Sequence, residues 1–214
     1  MVDGFQNSAS EDGNIMQKNE MEVWSMQATD LLKEEHHGVK IALRSLEKVG
    51  AKLEEAAGAE ETPYADDMGR LIEFLRVFVD KCHHAKEEDV LFPALVEDGE
   101  PIENDLVKVL LAEHAAGRKL VSEMTEALTS YQAGNRDSVS DLRGAARSYT
   151  QLLTDHIAKE DSELYPLADI KISAAAQQEM VEVFEKIEIE RIGMGTHEKF
   201  HAMLGEFKQK YLNK

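Results

Sequence analysis

Two stretches of this chain carry the same pattern of imidazole and carboxylate side chains. HHAKEEDVLFP ends at Pro93 and HIAKEDSELYP ends at Pro166. Superposing the two prolines places His83 on His156, Glu87 on Glu160 and Phe92 on Tyr165. A histidine and a glutamate four residues apart share one helix face, with Cβ atoms about 5 to 6 Å apart, so each pair can grip one metal ion. A second repeat joins the first: LKEEH ends at His36 and LLAEH ends at His114. Together the repeats select His36, His83, Glu87, His114, His156 and Glu160. One His-x-x-x-Glu in a Glu-rich helix is usually a surface pair, whereas two in register inside a repeat are a specific signal. Without a cation, these side chains at one buried level would leave several polar groups unpaired, which is costly. Imidazole and carboxylate donors suit iron, manganese or zinc, and the lack of a cysteine cluster disfavours soft-metal sites. Two carboxylates with four imidazoles fit two divalent ions bridged by Glu87 and Glu160.

Such a cage needs elements that bring six side chains to one level. Leu31, Leu32, Val39, Leu43 and Leu46 recur at helical spacing, and the pattern runs from about Ser25 to a break at Gly58. A second helix is predicted over about 67–97, with Leu71, Phe74, Leu75, Phe78 and Val79 inward and Pro93 bending its last turn. A third is predicted over 102–131 and a fourth over 138–168. Long helices joined by short loops imply antiparallel neighbours. About 18 residues, or about 27 Å, separate both His114 and His156 from the turn between their helices, so their levels agree. The predicted fold is all-α: an antiparallel up-down four-helix bundle over 21–170, after a polar aperiodic tail over 1–20. A helical C-terminal extension follows over 171–214.

The 42 acidic residues outnumber the 24 basic ones, for a net charge of −18. Phosphate backbones and anionic lipid surfaces are repelled by such a surface, so neither nucleic acid nor membrane is an expected partner. Beyond that the charge reads as a solvated acidic surface. Cys82 is the single cysteine, which rules out an internal disulfide framework and fits a reducing compartment. The first residues lack the basic start and apolar run of a secretory signal. The apolar stretch LIEFLRVFV is short and carries Glu73 and Arg76, so no membrane span is expected. Cytoplasm is the expected location.

HHAKEEDVLFPAL, with the Glu-His pairs of helices one and three and the His-x-x-x-Glu of helix four, resembles the HHE domain of hemerythrin-like proteins over about residues 21–170. The resemblance implies an antiparallel bundle around a non-haem di-iron centre, with two iron ions per chain. Its implied ligands are His36, His83, Glu87, His114, His156 and Glu160. Helix three departs from the oxygen carriers of that group, which place two histidines four apart, because Leu110 and Arg118 flank His114 at that spacing here. Helix four supplies Glu160 where the carriers use a more widely spaced aspartate. These departures point away from reversible oxygen transport and toward sensing or processing O2, peroxide or nitric oxide. The expected partner is therefore a small diatomic or peroxide ligand; no catalytic residue is assigned, and enzymatic activity and oligomeric state, a dimer included, are left open. Iron buffering or donation without catalysis, and a helical protein-interaction module, are the competing functions.

Several residues fall outside the repeat. His37 and His84 have Ala115 and Ile157 as counterparts, so a surface or supporting place is expected for both. Glu34 with His37, and Glu198 with His201, match the Glu-x-x-His spacing of ferritin-like di-iron bundles but do not recur. Glu35 and Glu113 are expected either in solvent or orienting a ligand histidine, Tyr149 in packing, and Cys82 as a packed thiol. His197 and His201 also have clip spacing. A hinge at Gly193 and Gly195 could fold them across the bundle's open end as further candidate ligands.

Overall fold

The computed structural model describes residues 27–56, 63–96 and 101–213. The tail expected over 1–20, the break at Gly58 and the loop at 98–100 lie outside them. The described residues form six helices and no strand, an all-α chain. Helix α1 is Ala28–Glu55, α2 spans 63–96, α3 is Pro101–Gln132, α4 spans 139–171, α5 is Ala174–Arg191 and α6 spans 196–212. α2 starts earlier than the sequence pattern predicts, on Pro63. Proline suits a first helical position because its fixed φ is already helical and its missing N–H is one of the orphans there. The turn after α3 uses Gly134 at φ 101°, which costs a glycine nothing.

Pro93 sits in α2 without ending it. A wide π-helical turn at Glu87–Leu91 precedes it, with the Phe92 N–H bonded to the Glu87 carbonyl, and α2 then runs on to Val96. α4 repeats this at Glu160–Leu164 before Pro166, with the Tyr165 N–H bonded to the Glu160 carbonyl. A proline lacks its own N–H and crowds the carbonyl four residues back, so the wide turn absorbs the mismatch.

Each of the first four helices touches two others, and the contacts pair the end of one with the start of the other. α1 meets α2 with Gly50 beside Met68 at one end and Glu35 beside His83 at the other. α3 meets α2 through Gly69 with Leu128 and Arg118 with Asp80. α4 meets α3 through Ser138 with Ala127 and His156 with His114. The ring closes where Arg143 pairs with Glu54 and Thr29 with Asp169. Two apolar clusters fill this ring. One includes Leu46, Leu53, Met68, Phe74, Met124 and Tyr149, and the other includes Leu32, Phe92, Leu110, Leu164 and Tyr165. Each such side chain contributes about 1.5–3 kcal/mol by leaving water. α5 adds Met180, Val181 and Phe184 to the second cluster, and α6 adds Met203, Leu204 and Phe207 to the first.

Candidate metal centre

Four histidines from four helices meet as two pairs. The Nε2 atoms of His36 and His83 are 3.1 Å apart, and those of His114 and His156 are 3.0 Å apart. Glu160 touches both pairs, with Oε2 3.2 Å from His36 Nε2 and Oε1 2.9 Å from His156 Nε2. Glu87 does the same from the facing helix, its Oε2 lying 3.5 Å from His114 Nε2 and 3.9 Å from His83 Nε2. The six side chains singled out by the repeat therefore share one buried layer.

Carboxylates outside the layer aim every ring. Nδ1 of His83 is 2.8 Å from Glu35, Nδ1 of His156 is 2.9 Å from Glu113, Nδ1 of His36 is 2.8 Å from Asp161, and Nδ1 of His114 is 2.6 Å from Glu88. Each ring donates Nδ1–H to its carboxylate, and a neutral ring then leaves its Nε2 lone pair facing inward. A cation backs each carboxylate: Lys86 behind Glu35, Lys159 behind Glu113, Lys40 behind Asp161 and Arg118 behind Glu88. Burial favours the neutral form of Glu35, yet His83 and Lys86 hold its carboxyl down to about 2. The sequence left Glu35 and Glu113 between solvent and support, and the structure gives them support. Glu88 and Asp161 stand at matching positions of the repeat and complete this set of supports.

The interior of the layer is short of hydrogen-bond donors. Oε2 of Glu87 and both carboxylate oxygens of Glu160 are buried without a hydrogen-bond partner. The inward donor is the Tyr165 hydroxyl, which donates to Glu87 Oε1 at 2.7 Å. Burial and the neighbouring Glu160 charge raise the Glu87 carboxyl well above its usual range. Burial pushes Glu160 the same way, but His114, His156 and His36 outweigh it and hold Glu160 well below. Inward-facing lone pairs beside buried carboxylates are the donor set of a cation site, so these residues fit a metal.

Of the two places expected for His84, the structure gives the supporting one and not the surface. Only 3 % exposed, it stacks on His114 with ring centroids 3.8 Å apart; neither ring nitrogen has a hydrogen-bond partner, and Nδ1 lies 3.8 Å from Asp80 Oδ1. One ligand atom from each of His84, Glu87, His114 and His156 fits within 4.8 Å, and the same holds for His36, His83 and Glu160. Its counterpart is Ile157, so reasoning from internal symmetry excluded it. His37 is exposed, as expected.

The extension does not bring its histidines to the layer. Gly193 and Gly195, both at positive φ, turn the chain so that α6 lies along α1, with Leu204 against Gly38 and Phe200 edge-on to Phe74. His197 is instead held by Glu188 at 2.9 Å, with His201 Nε2 2.9 Å from His197 Nε2. Glu188 in turn lies 3.5 Å from Lys86. Glu35, Cys82 and Glu188 form a third close group. Lys86 already neutralises its carboxylates, and burial pushes the Cys82 thiol up to about 12.

The sequence model for the hemerythrin HHE cation binding domain matches residues 27–168. The chain belongs to this family of hemerythrin-like proteins. It is also 28 % identical over 174 residues to uncharacterized proteins of Mycobacterium bovis and Mycobacterium tuberculosis. The matched part is 81 % of this chain and 66 % of those relatives, just under two thirds of their length. No solved structure matches the chain significantly. Among the described residues, no helix is long and apolar enough to cross a membrane.

Proposed function

We propose that this chain holds two iron ions in the histidine–carboxylate layer of an antiparallel four-helix bundle and processes or senses O2, peroxide or nitric oxide there. The observation that carries this reading is the set of buried oxygens without a hydrogen-bond partner: Glu160 Oε1 and Oε2 and Glu87 Oε2 lack one, and each carboxylate reaches both histidine pairs. His36, His83 and Glu160 would hold one ion, and His114, His156, Glu87 and His84 the other. Bound iron would supply one-electron redox capacity and coordination positions open to a small ligand. The chain's own part is to fix the rings through Glu35, Glu113, Asp161 and Glu88, and to exclude water with the apolar clusters on either side. Manganese or zinc would suit the same atoms.

Iron donation would need exchange with solvent, and the layer's burial argues for retention instead. A free buried thiol suits the reducing cytoplasm in which such a centre would be reloaded. Anaerobic reconstitution followed by metal analysis and visible spectroscopy tests the reading. Two irons per chain, with new visible absorption on exposure to O2, peroxide or nitric oxide, are expected. A firm stoichiometry of one that survives Glu160→Ala would remove the two-ion arrangement.

A further inference from the structure

We propose that the α2/α3 face contains a binding pocket for one small neutral organic molecule of about phenol size, seated with its polar end at His84. The two halves of the repeat provide an internal control. The alignment that superposes His36 on His114 places Val39 on Gly117, and the alignment of the two prolines places Leu153 on Asp80 and Ile157 on His84. Val39, Leu153 and Ile157 are all buried members of an apolar cluster. At the corresponding positions Gly117, Asp80 and His84 instead line a cavity of about 290 Å³, walled also by Leu75, Val121 and Tyr149. One half puts core side chains at the three positions where the other lines a cavity.

Size and charge select the occupant. A cavity of about 150 Å³ accepts benzene, so this one is far larger than a diatomic gas or hydrogen peroxide needs. Of the two arginines lining the pocket, Arg118 is committed to Asp80 at 2.6 Å and Glu88 at 2.7 Å and Arg76 to Glu73, so neither offers spare charge to an anion. Leu75, Val121 and Tyr149 supply apolar contact. His84 supplies polarity: neither of its nitrogens has a hydrogen-bond partner, and Nδ1 stands 3.8 Å from Asp80 Oδ1. An imidazole gives a metal ion one nitrogen, which leaves the other for a hydroxyl or hydroperoxyl group. This deepens the proposed reading by naming neutral alcohols, phenols and organic hydroperoxides as the molecules that reach the layer. The pocket itself does not depend on bound iron.

Gly117→Val copies the packed half into the hollow one. A Cβ at Gly117 would meet Tyr149 at 3.5 Å and Leu153 at 3.7 Å, ordinary contact distances, so the smaller Gly117→Ala variant also fits. Phenol is titrated into iron-loaded and metal-free protein, followed by saturation-transfer NMR and by the methyl signals of Val121. One phenol per chain with shifted Val121 signals is expected, and Gly117→Val should weaken binding about tenfold or more by filling the volume. Gly117→Ala should fall between the two. Absent phenol binding, or binding that neither variant weakens and Val121 does not sense, overturns the pocket. Iron content is measured on the same samples: protein that takes no iron yet binds phenol in a Gly117-dependent way keeps the pocket and refutes the metal reading.

Discussion

The two halves of the metal-binding layer agree in their outer frame and differ inside. Glu35 with Lys86 matches Glu113 with Lys159, and Asp161 with Lys40 matches Glu88 with Arg118. Tyr165 stacks on His36 as Phe92 stacks on His114. Yet only Tyr165 has a hydroxyl to give Glu87, and only α2 adds a second histidine, where α4 has Ile157. Two nearly equivalent carboxylates shift in opposite directions: burial and the Glu160 charge raise Glu87 even though the Tyr165 hydroxyl pulls it back, while His114, His156 and His36 lower Glu160. The repeated frame fixes where the rings point, and a few unrepeated positions make the halves chemically unequal.

The largest effect should come from breaking what the halves share. Glu160→Ala removes a carboxylate that reaches both histidine pairs, so both irons should be lost. Losing about 3 kcal/mol of binding linkage, as for a ligand near 100 times its Kd, should lower Tm by roughly 6–12 °C. Full iron retention, measured by metal analysis beside calorimetry, would show that Glu160 is no bridge. An intermediate effect should follow from making the halves alike. His84→Ile places the α4 residue in α2 and should weaken the ion held with His114 and His156 while sparing the one held with His36 and His83. A uniform loss of both irons, or of neither, would contradict the asymmetric assignment.

The smallest effect should come from the outer frame. Lys86→Met and Lys159→Met remove matched cations behind matched carboxylates, and such supports are worth about 10–100-fold in metal affinity. Lys86 has only 4 % of its side chain exposed against 33 % for Lys159, so solvent can replace Lys159 more easily and Lys86→Met should cost more. Chelator competition compares the two variants. Equal losses would mean that burial does not matter to the frame.

The sequence made the helices, the repeat and the six side chains of the layer legible, because helical period and matching spacing are local properties. His84 was not legible for the reason the others were: symmetry between His83 and His156 ranks Ile157 above it. His197 and His201 had the right spacing, but spacing cannot tell where a turn at Gly193 and Gly195 directs a helix. Leu204 settling on Gly38 decided that through packing between distant residues. The π turns were hidden as well, since one extra residue per turn barely disturbs an apolar pattern read over a whole helix. The hollow beside Gly117 needed three positions to be compared at once, which becomes meaningful only after the halves are superposed in space.

The wide turns at Glu87–Leu91 and Glu160–Leu164 determine which kinds of genetic change this layer can survive. A π turn resembles an α-helical turn that has taken in one residue. Deleting a single residue such as Asp89 would close that turn to ordinary α-helical winding and leave the parts of the helix on either side on the faces they now occupy. His83 and His84 lie on one side of that position, and Phe92 and Leu95 lie on the other, where they pack in an apolar cluster. A deletion where the helix already winds as an ordinary α-helix has no such slack: it would rotate the two flanks by about 100° relative to one another and turn either the ligands or the core away. Loss of one residue between each histidine and the proline that follows it should therefore be tolerated within the wide turns, whereas elsewhere gains and losses belong in the loops.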